Sequence, residues 1–269
     1  MATSRQILER ALVPSELAGM SVDGEERLRV HRSMLDRKPM LAEVFRECHE
    51  ACMDCDRRWF GSTEGLRIEL GAGVAPARNT YPDVLATDVV PGQDLDRTLD
   101  AQAMNLPDGS VRALYGQNCF HHFPDPARFL SEAERVIAPG GGVVLIEPYY
   151  GPVASWMYKR LFASEDFDKN MSGWQTDATG PMTGANQALS YIVFERDRAE
   201  FERRFPRLEL VEAFPLGNYL RYLLSGGLNF RPLVPNRVAP VLKRIEGWLG
   251  PLRSTLALHH VIVLRRTEG

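Results

Sequence analysis

Short apolar runs recur along the chain and predict the buried strands of an α/β sheet. Each run is three to seven residues long, and most are bounded by glycine, proline or acidic residues, which is typical of strands buried on both faces. The six runs are Ile68–Leu70, Val84–Asp88, 111–117, Val143–Glu147, Leu208–Val211 and His260–Leu264. We expect the last two to pair antiparallel.

Apolar positions at helical spacing predict helices between these runs. Pro39 suits the first turn of a helix to about Phe60, and a shorter helix at Ile7–Leu12 precedes it. Asp125-Pro126 begins another helix, which the run Pro139–Gly142 is expected to end. Spacing in Trp156–Phe162 indicates an amphipathic helix.

The first run ends in the glycine turn Gly71-Ala72-Gly73, and we expect a helix to follow it. Glycine permits positive φ and lets a ligand approach the main chain without a Cβ in the way. A strand, a glycine turn and a helix form the first nucleotide-binding unit of a doubly wound sheet.

The residues around the turn exclude two common phosphate sites. A dinucleotide fingerprint needs a small residue three positions after Gly73, and that position is Pro76. A triphosphate loop needs Gly-Lys-Ser/Thr, and no lysine lies between Lys38 and Lys159. Glu69 before the turn, with no basic residue in it, instead suits a ligand with positive charge. S-adenosylmethionine, with its sulfonium and ammonium groups, is such a ligand.

Glu69, Gly71 and Gly73 resemble motif I of the class I S-adenosylmethionine-dependent methyltransferases, with Ala75 at the third glycine position. The segments 99–111 and 118–126 are similar to further motifs of the ubiquinone/menaquinone-type enzymes, so the resemblance covers about residues 66–150. It implies a Rossmann-like seven-stranded sheet of order 3-2-1-4-5-7-6 with its last strand antiparallel. Its cofactor would be S-adenosylmethionine and its product S-adenosylhomocysteine.

Several residues are expected to hold the cofactor. Asp88 ends the second predicted strand, 15 residues after Gly73, where a carboxylate can accept from both ribose hydroxyls. By the resemblance, Asp100 would bind the adenine amino group and the Ala101 amide would reach the ring. The resemblance also implies cofactor contacts from three further positions. These are Ala72, Asn118 and Phe120.

His121-His122 follows the fourth predicted strand, on the cofactor side of the sheet. Either histidine could remove a proton from an oxygen acceptor at neutral pH, or both could only shape the loop. The fifth predicted strand ends in Glu147, and Glu147, Tyr149 and Tyr150 are candidate acceptor contacts. Cys48, Cys52 and Cys55 share one helix face beside His49, but a zinc site needs a second ligand pair. We therefore expect packing there and no metal.

The expected organisation is a helical cap at 1–65 and a methyltransferase domain at 66–269. Insertions at about 150–206 and 216–235 would build the acceptor side. The apolar stretch Tyr219–Leu228 could pack in the core, form a homodimer face or touch a membrane surface. Residues near Val30–Phe60 are expected to help cover the site.

Composition limits the function classes. The chain has 269 residues, 44% of them apolar, and a net charge of −3, which gives no basic field for nucleic acid. No apolar run approaches the roughly 18 residues of a membrane span, and the N-terminus lacks the apolar core of a signal peptide. The four cysteines indicate no disulfide framework. We expect a cytoplasmic, reduced protein.

The expected function is methyl transfer to a small-molecule acceptor, such as a hydroxyl of a sugar, glycan precursor or secondary metabolite. A quinone-type C-methyltransferase is the alternative within the class, with Leu220, Leu223 and Leu224 as an apolar pocket. A non-catalytic S-adenosylmethionine-binding protein and a nicotinamide oxidoreductase that tolerates Pro76 are the alternatives outside it.

Overall fold

Seven strands form one sheet. The computed structural model of the chain describes residues 12–17, 19–21, 23, 25–161, 165–176, 180 and 182–268. The strands are β1 (Leu66–Leu70), β2 (Val84–Asp88), β3 (Arg97–Thr98), β4 (Val111–Gln117), β5 (Ile137–Pro148), β6 (Leu208–Pro215) and β7 (His259–Arg266). Their order is β3-β2-β1-β4-β5-β7-β6.

The pairing confirms the expected Rossmann-like sheet. Ile68 of β1 lies between Leu85 and Leu114, in parallel register with both. β7 runs antiparallel to β5 and to β6, as the sequence predicts for the last strands. The carboxyl ends of β1, β2, β4 and β5 therefore meet at one edge, where such sheets bind ligands.

β5 begins earlier than predicted. The helix before it ends at Val136, and the glycines at 140–142 lie inside the strand instead of forming a stop. A Cβ on Gly142 would lie 2.1 Å from the Leu264 carbonyl oxygen and 2.4 Å from the Phe60 ring. Glycine is therefore needed because β7 and the end of a helix approach the strand closely.

Seven helices of six or more residues lie in the described part of the chain. They are α1 (Glu25–Asp36), α2 (Pro39–Trp59), α3 (Pro126–Val136), α4 (Pro152–Arg160), α5 (Arg198–Arg204), α6 (Tyr219–Leu224) and α7 (Ala239–Trp248). α2 and α4 confirm predicted helices, and Asp125 caps α3 by accepting from the amides of Ala127 and Arg128 at 3.1 and 3.3 Å. The helix predicted at 7–12 lies almost entirely outside the described residues.

α2 packs on the sheet and confirms the packing expected of its cysteines. Cys48, Cys52 and Cys55 are buried free thiols, and they contact apolar side chains of β4, β5 and β7. Burial raises the pKa of Cys48 to about 12 and that of Cys55 to about 11, so both stay protonated. These residues act as small apolar groups.

The helix expected after the glycine turn is absent, and that prediction is wrong. Only a single 3₁₀ turn, Ala77–Asn79, separates the glycine turn from β2. Pro76 and Pro82 bracket this connection, which leaves too few residues for a stable α-helix.

The 219–228 stretch is mostly packed. In α6 Tyr219 is buried, and Leu220 and Leu223 pack beside Tyr158 and Leu258. Within the ranges described, no helix is both long and apolar enough to cross a membrane.

Candidate active site

The glycine turn closes against the loop after β4. Gly71 and Gly73 have φ of 62° and 54°, which an L side chain rarely adopts. A Cβ on Gly71 would lie 2.9 Å from Cβ of Cys119, so the two loops are in contact. Ala72 is buried, and its amide donates to the Thr87 carbonyl at 2.9 Å, which joins the turn to β2.

Glu69 lies beneath this turn. Its Oε2 accepts the Ala77 amide at 2.7 Å, so the carboxyl group holds the connection that follows the glycines. Burial raises the pKa of Glu69 to about 8, and burial lowers the pKa of His49 to about 4. Although His49 Nε2 lies 3.7 Å from Glu69 Oε1, the two groups are mostly uncharged at neutral pH and form no strong ion pair.

Asp88 is the last residue of β2, and Asp100 follows the end of the neighbouring strand β3 by two residues. Asp88 accepts the amides of Gly73 and Val90 at 3.2 and 3.0 Å, which positions its carboxylate at the glycine turn. The Leu99 amide donates to the Asp88 carbonyl at 2.9 Å and brings the exposed Asp100 next to it. Ala101 is buried beside it. The structure thus gathers these predicted cofactor residues at one edge.

The loop after β4 is turned by Asn118. Its φ is 51°, the one positive φ of a non-glycine residue in the described ranges, and its amide donates to the Ile146 carbonyl at 2.8 Å. Its Oδ1 is buried without a hydrogen-bond partner among described residues. The fully buried ring of Phe120 packs against Phe123, Phe129 and Phe194, and a cofactor contact by this residue stays a prediction. Phe120 therefore supports the loop from the core side.

Glu147 organises this loop. The residue is fully buried, and its carboxylate accepts the amides of Cys119, Phe120 and His121 at 3.0, 2.9 and 3.3 Å. It also lies 2.6 Å from Nδ1 of His121. An acceptor contact by Glu147 stays a prediction, since both oxygens already bind the loop.

His121 lies between two carboxylates. Its Nε2 is 3.4 Å from Oε2 of Glu165, on the side opposite Glu147. Burial alone would lower the pKa of His121, but Glu147 and Glu165 raise it to about 10. At neutral pH, His121 in this arrangement carries its proton, whereas a general base must be free to accept one.

His122 and Glu165 complete a cluster with His121. One ligand atom from each of the three residues lies within 4.8 Å of the others. Burial and the charge of His121 lower the pKa of His122 to about 4, so its ring is neutral at neutral pH. Burial raises the pKa of Glu165, but His121 outweighs this effect and the net pKa is lowered. Glu165 was not among the site residues predicted from the sequence, because its only signal there is an acidic run within the insertion predicted at about 150–206.

Tyr149 and Tyr150 lie just past β5. Their rings are 4.7 Å apart, and both are within about 5.4 Å of the His260 ring. Lys169 lies over the Tyr150 ring at 5.6 Å and donates to its carbonyl at 2.8 Å. Both tyrosines are half-buried, and an acceptor contact by either stays a prediction.

The matched family model covers the same edge of the sheet. Residues 71–145 match a family model described as a methyltransferase domain, from the glycine turn through most of β5. A comparison with curated proteins finds no match.

Two solved structures illustrate the structural similarity. Phosphoethanolamine N-methyltransferase 2 of Haemonchus contortus is 12% identical over 80% of this chain and 52% of that one, with a TM-score of 0.44. Geranyl diphosphate C-methyltransferase of Streptomyces coelicolor A3(2) is 15% identical over 96% of this chain and 90% of that one, with a TM-score of 0.47. The chain spans about half the length of the first enzyme.

Proposed function

We propose that the chain is a class I S-adenosylmethionine-dependent methyltransferase and that it methylates a hydroxyl oxygen of a small-molecule acceptor. The observation that carries this proposal is the His121–His122–Glu165 cluster beside the glycine turn. A hydroxyl must lose its proton during methylation, and the cluster provides polar groups where that can happen.

The cofactor would lie along the edge formed by the glycine turn, Asp88 and Asp100. Glu69 would act from beneath by holding the turn, since its carboxyl group is buried and bound to the Ala77 amide. Asn118 and Ala101 would contribute from the two flanking loops. Main-chain groups at the turn can approach the ligand because Gly71 and Gly73 carry no Cβ.

Methyl transfer is an in-line displacement. The acceptor oxygen forms a bond to the methyl carbon while the bond from that carbon to sulfur breaks, and the electron pair of that bond goes to sulfur. The acceptor proton leaves to the neutral His122 or to water at the cluster. Positioning and exclusion of water supply most of the rate, and the buried hydrogen bonds of Glu147 fix His121 in place.

Calorimetric binding of S-adenosylhomocysteine tests the cofactor site. Wild type should bind, and Asp88→Ala should weaken binding by about ten- to a hundredfold, since a charged hydrogen-bond partner contributes roughly 1.5–3 kcal/mol. Asp83→Ala is the matched control, because Asp83 is an exposed aspartate just before the opposite end of β2. Absence of binding by wild type would overturn the cofactor assignment.

The acceptor is tested with methyl-labelled S-adenosylmethionine and a panel of sugars, phenols and quinols. Transfer to oxygen, identified by the carbon chemical shift of the new methyl group, supports the proposal. Transfer to ring carbon instead identifies a quinone-type C-methyltransferase. Cofactor binding without transfer to any class of acceptor would favour a non-catalytic binding protein.

A further inference from the structure

We propose that His121, His122 and Glu165 bind one first-row transition-metal dication, such as Zn²⁺, with an open coordination position for the acceptor oxygen. The second part of this inference rests on the proposed function, while the metal site itself does not. The ligand atoms of the three side chains lie within 4.8 Å of one another, and the described residues hold no other such group.

The spacing of two of the ligands fits a metal ion. Nitrogen and carboxylate ligands lie about 2.0–2.2 Å from zinc, so two ligands of a tetrahedral ion are about 3.4 Å apart. Nε2 of His121 and Oε2 of Glu165 are 3.4 Å apart, which is longer than an ordinary charged hydrogen bond. An ion between them would take the place of the hydrogen.

The surroundings of His121 match those of a metal-ligating histidine. Such a residue usually donates its other ring N–H to a carboxylate, which fixes the tautomer and the ring plane. Glu147 accepts from Nδ1 of His121 at 2.6 Å and is itself held by three main-chain amides. Nε2 of His121 is therefore aimed at the cluster by a rigid, fully buried support.

His122 has a ring nitrogen that the fold leaves unused. Its Nδ1 is buried and has no hydrogen-bond partner within the described part of the chain. A buried nitrogen without a partner costs free energy unless an ion or water fills the space.

The segment that carries Glu165 is hydrogen-bonded to the loop that carries His121. The Asn186 amide donates to the His121 carbonyl at 3.3 Å, and the Asn186 side chain binds both main-chain groups of Asp168 at 3.0 and 2.9 Å. The site is also reachable, because the Glu165 side chain is 24% exposed.

The donor atoms of the three side chains indicate which class of metal ion would bind. Two imidazoles and one carboxylate favour zinc, iron, nickel or cobalt over Mg²⁺ and Ca²⁺, which prefer oxygen ligands throughout. Three protein ligands leave at least one position open, as in catalytic sites. An acceptor hydroxyl bound there would lose its proton to water more readily, and the resulting oxyanion would attack the methyl carbon.

Metal binding is tested by titrating Zn²⁺ into chelator-treated full-length protein in a calorimeter. We expect one ion per chain in wild type and at least about tenfold weaker binding in Glu165→Gln and in His122→Asn. Glu147→Gln should weaken binding by about 10- to 100-fold through His121. Asp166→Asn is the matched control, because this exposed neighbour of Glu165 lies outside the cluster and should bind Zn²⁺ like wild type.

Cobalt substitution distinguishes this site from the cysteines of α2. We expect Co²⁺ absorption bands of a four- or five-coordinate nitrogen and oxygen site, without a thiolate charge-transfer band. A thiolate band, or loss of binding in His49→Asn with retention in Glu165→Gln, would overturn the proposal, as would failure of wild type to bind Zn²⁺.

Two further experimental results distinguish failure of the metal-site inference from failure of the proposed function. If chelated wild type binds S-adenosylhomocysteine and methylates a hydroxyl as fast as the zinc-loaded protein, the ion has no part in transfer, and the proposed function stands. If wild type binds Zn²⁺ but not S-adenosylhomocysteine, the metal site stands and the proposed function fails.

Discussion

At the scale of single residues, the chemistry of Glu69 is set by its burial. The sequence predicts Glu69 as a cofactor residue, but its position below the turn and its bond to Ala77 become visible only in the fold. Because desolvation disfavours the charged carboxylate, the folded protein holds the Glu69 proton more tightly than the unfolded chain does.

This difference predicts a pH-dependent stability. The pKa of Glu69 rises from 4.5 to about 8 on folding, so protonation of Glu69 stabilises the folded state. This stabilisation is fully present below pH 4.5 and is lost as the pH rises through about 8. In Glu69→Gln this loss is absent. Relative to wild type, the variant should therefore gain about 1.4 kcal/mol in unfolding free energy for each pH unit between about 5 and 8.

Urea denaturation of cofactor-free protein at several pH values measures this effect. Glu209→Gln, at an exposed position of β6, controls for the substitution itself. Parallel stability curves for wild type and Glu69→Gln would show that Glu69 is not held neutral by the fold.

The roles of several other residues could not be predicted from the sequence, and the physical reason is the same for each. Arg112 is the second residue of β4, and the sequence gives no partner for it. In the structure it donates to buried Asp56 of α2 at 3.0 and 2.7 Å, together with Arg67 of β1 at 2.7 Å. Glu165 likewise meets His121 from 44 residues away in the sequence. Such pairs depend on tertiary packing, which no local pattern encodes.

At the scale of secondary-structure elements, the periodicity of apolar residues predicted those strands and helices that the local sequence determines. The strand β2 and the helix α2 follow from uninterrupted apolar patterns with clear bounds, and both are confirmed. The predictions for the connection after Gly73 and for the start of β5 were wrong, because proline and glycine are compatible with more than one local structure. Gly142 looks like a turn residue, yet its role is to admit the Phe60 ring and β7.

α6 is joined to two other helices by one buried arginine. Arg221 is 3% exposed, and its guanidinium donates to Glu246 of α7 at 2.7 Å and to Glu47 of α2 at 2.9 and 2.6 Å. Its amide also donates to Glu246 at 2.9 Å. The network fixes α6 onto α2, and Leu220 and Leu223 of α6 pack inward.

Arg221→Met should destabilise the protein by about 3–5 kcal/mol, since it leaves the buried Glu246 carboxylate without its cation. Urea unfolding with an unchanged m-value would measure this loss. The matched control is Arg58→Met, whose half-exposed ion pair with Glu212 should contribute only about 0–1 kcal/mol. A loss below about 1 kcal/mol for Arg221→Met would contradict the proposed anchoring role.

At the scale of the whole molecule, the N-terminal region divides into two parts with different roles. α2 packs on β4, β5 and β7 through buried apolar side chains. Asp23 and Arg27 of the preceding region and of α1 instead lie near enough to His122 and Glu165 for their charges to interact. Asp23 accepts from the Met182 amide and the Thr183 hydroxyl at 2.7 Å each, and the charge of Glu165 acts on Arg27, whose pKa burial lowers.

A cap over the site within Val30–Phe60 stays a prediction, and we expect it to involve α1 instead of α2. If α1 must move before the cofactor leaves, bound S-adenosylhomocysteine will suppress its opening by mass action. At 100 times Kd, amide hydrogen exchange in 25–36 should slow by up to about 100-fold. Exchange in α7, which packs on α6, should change much less and serves as the internal control. Equal exchange rates in α1 with and without the ligand would show that this helix does not close over the cofactor.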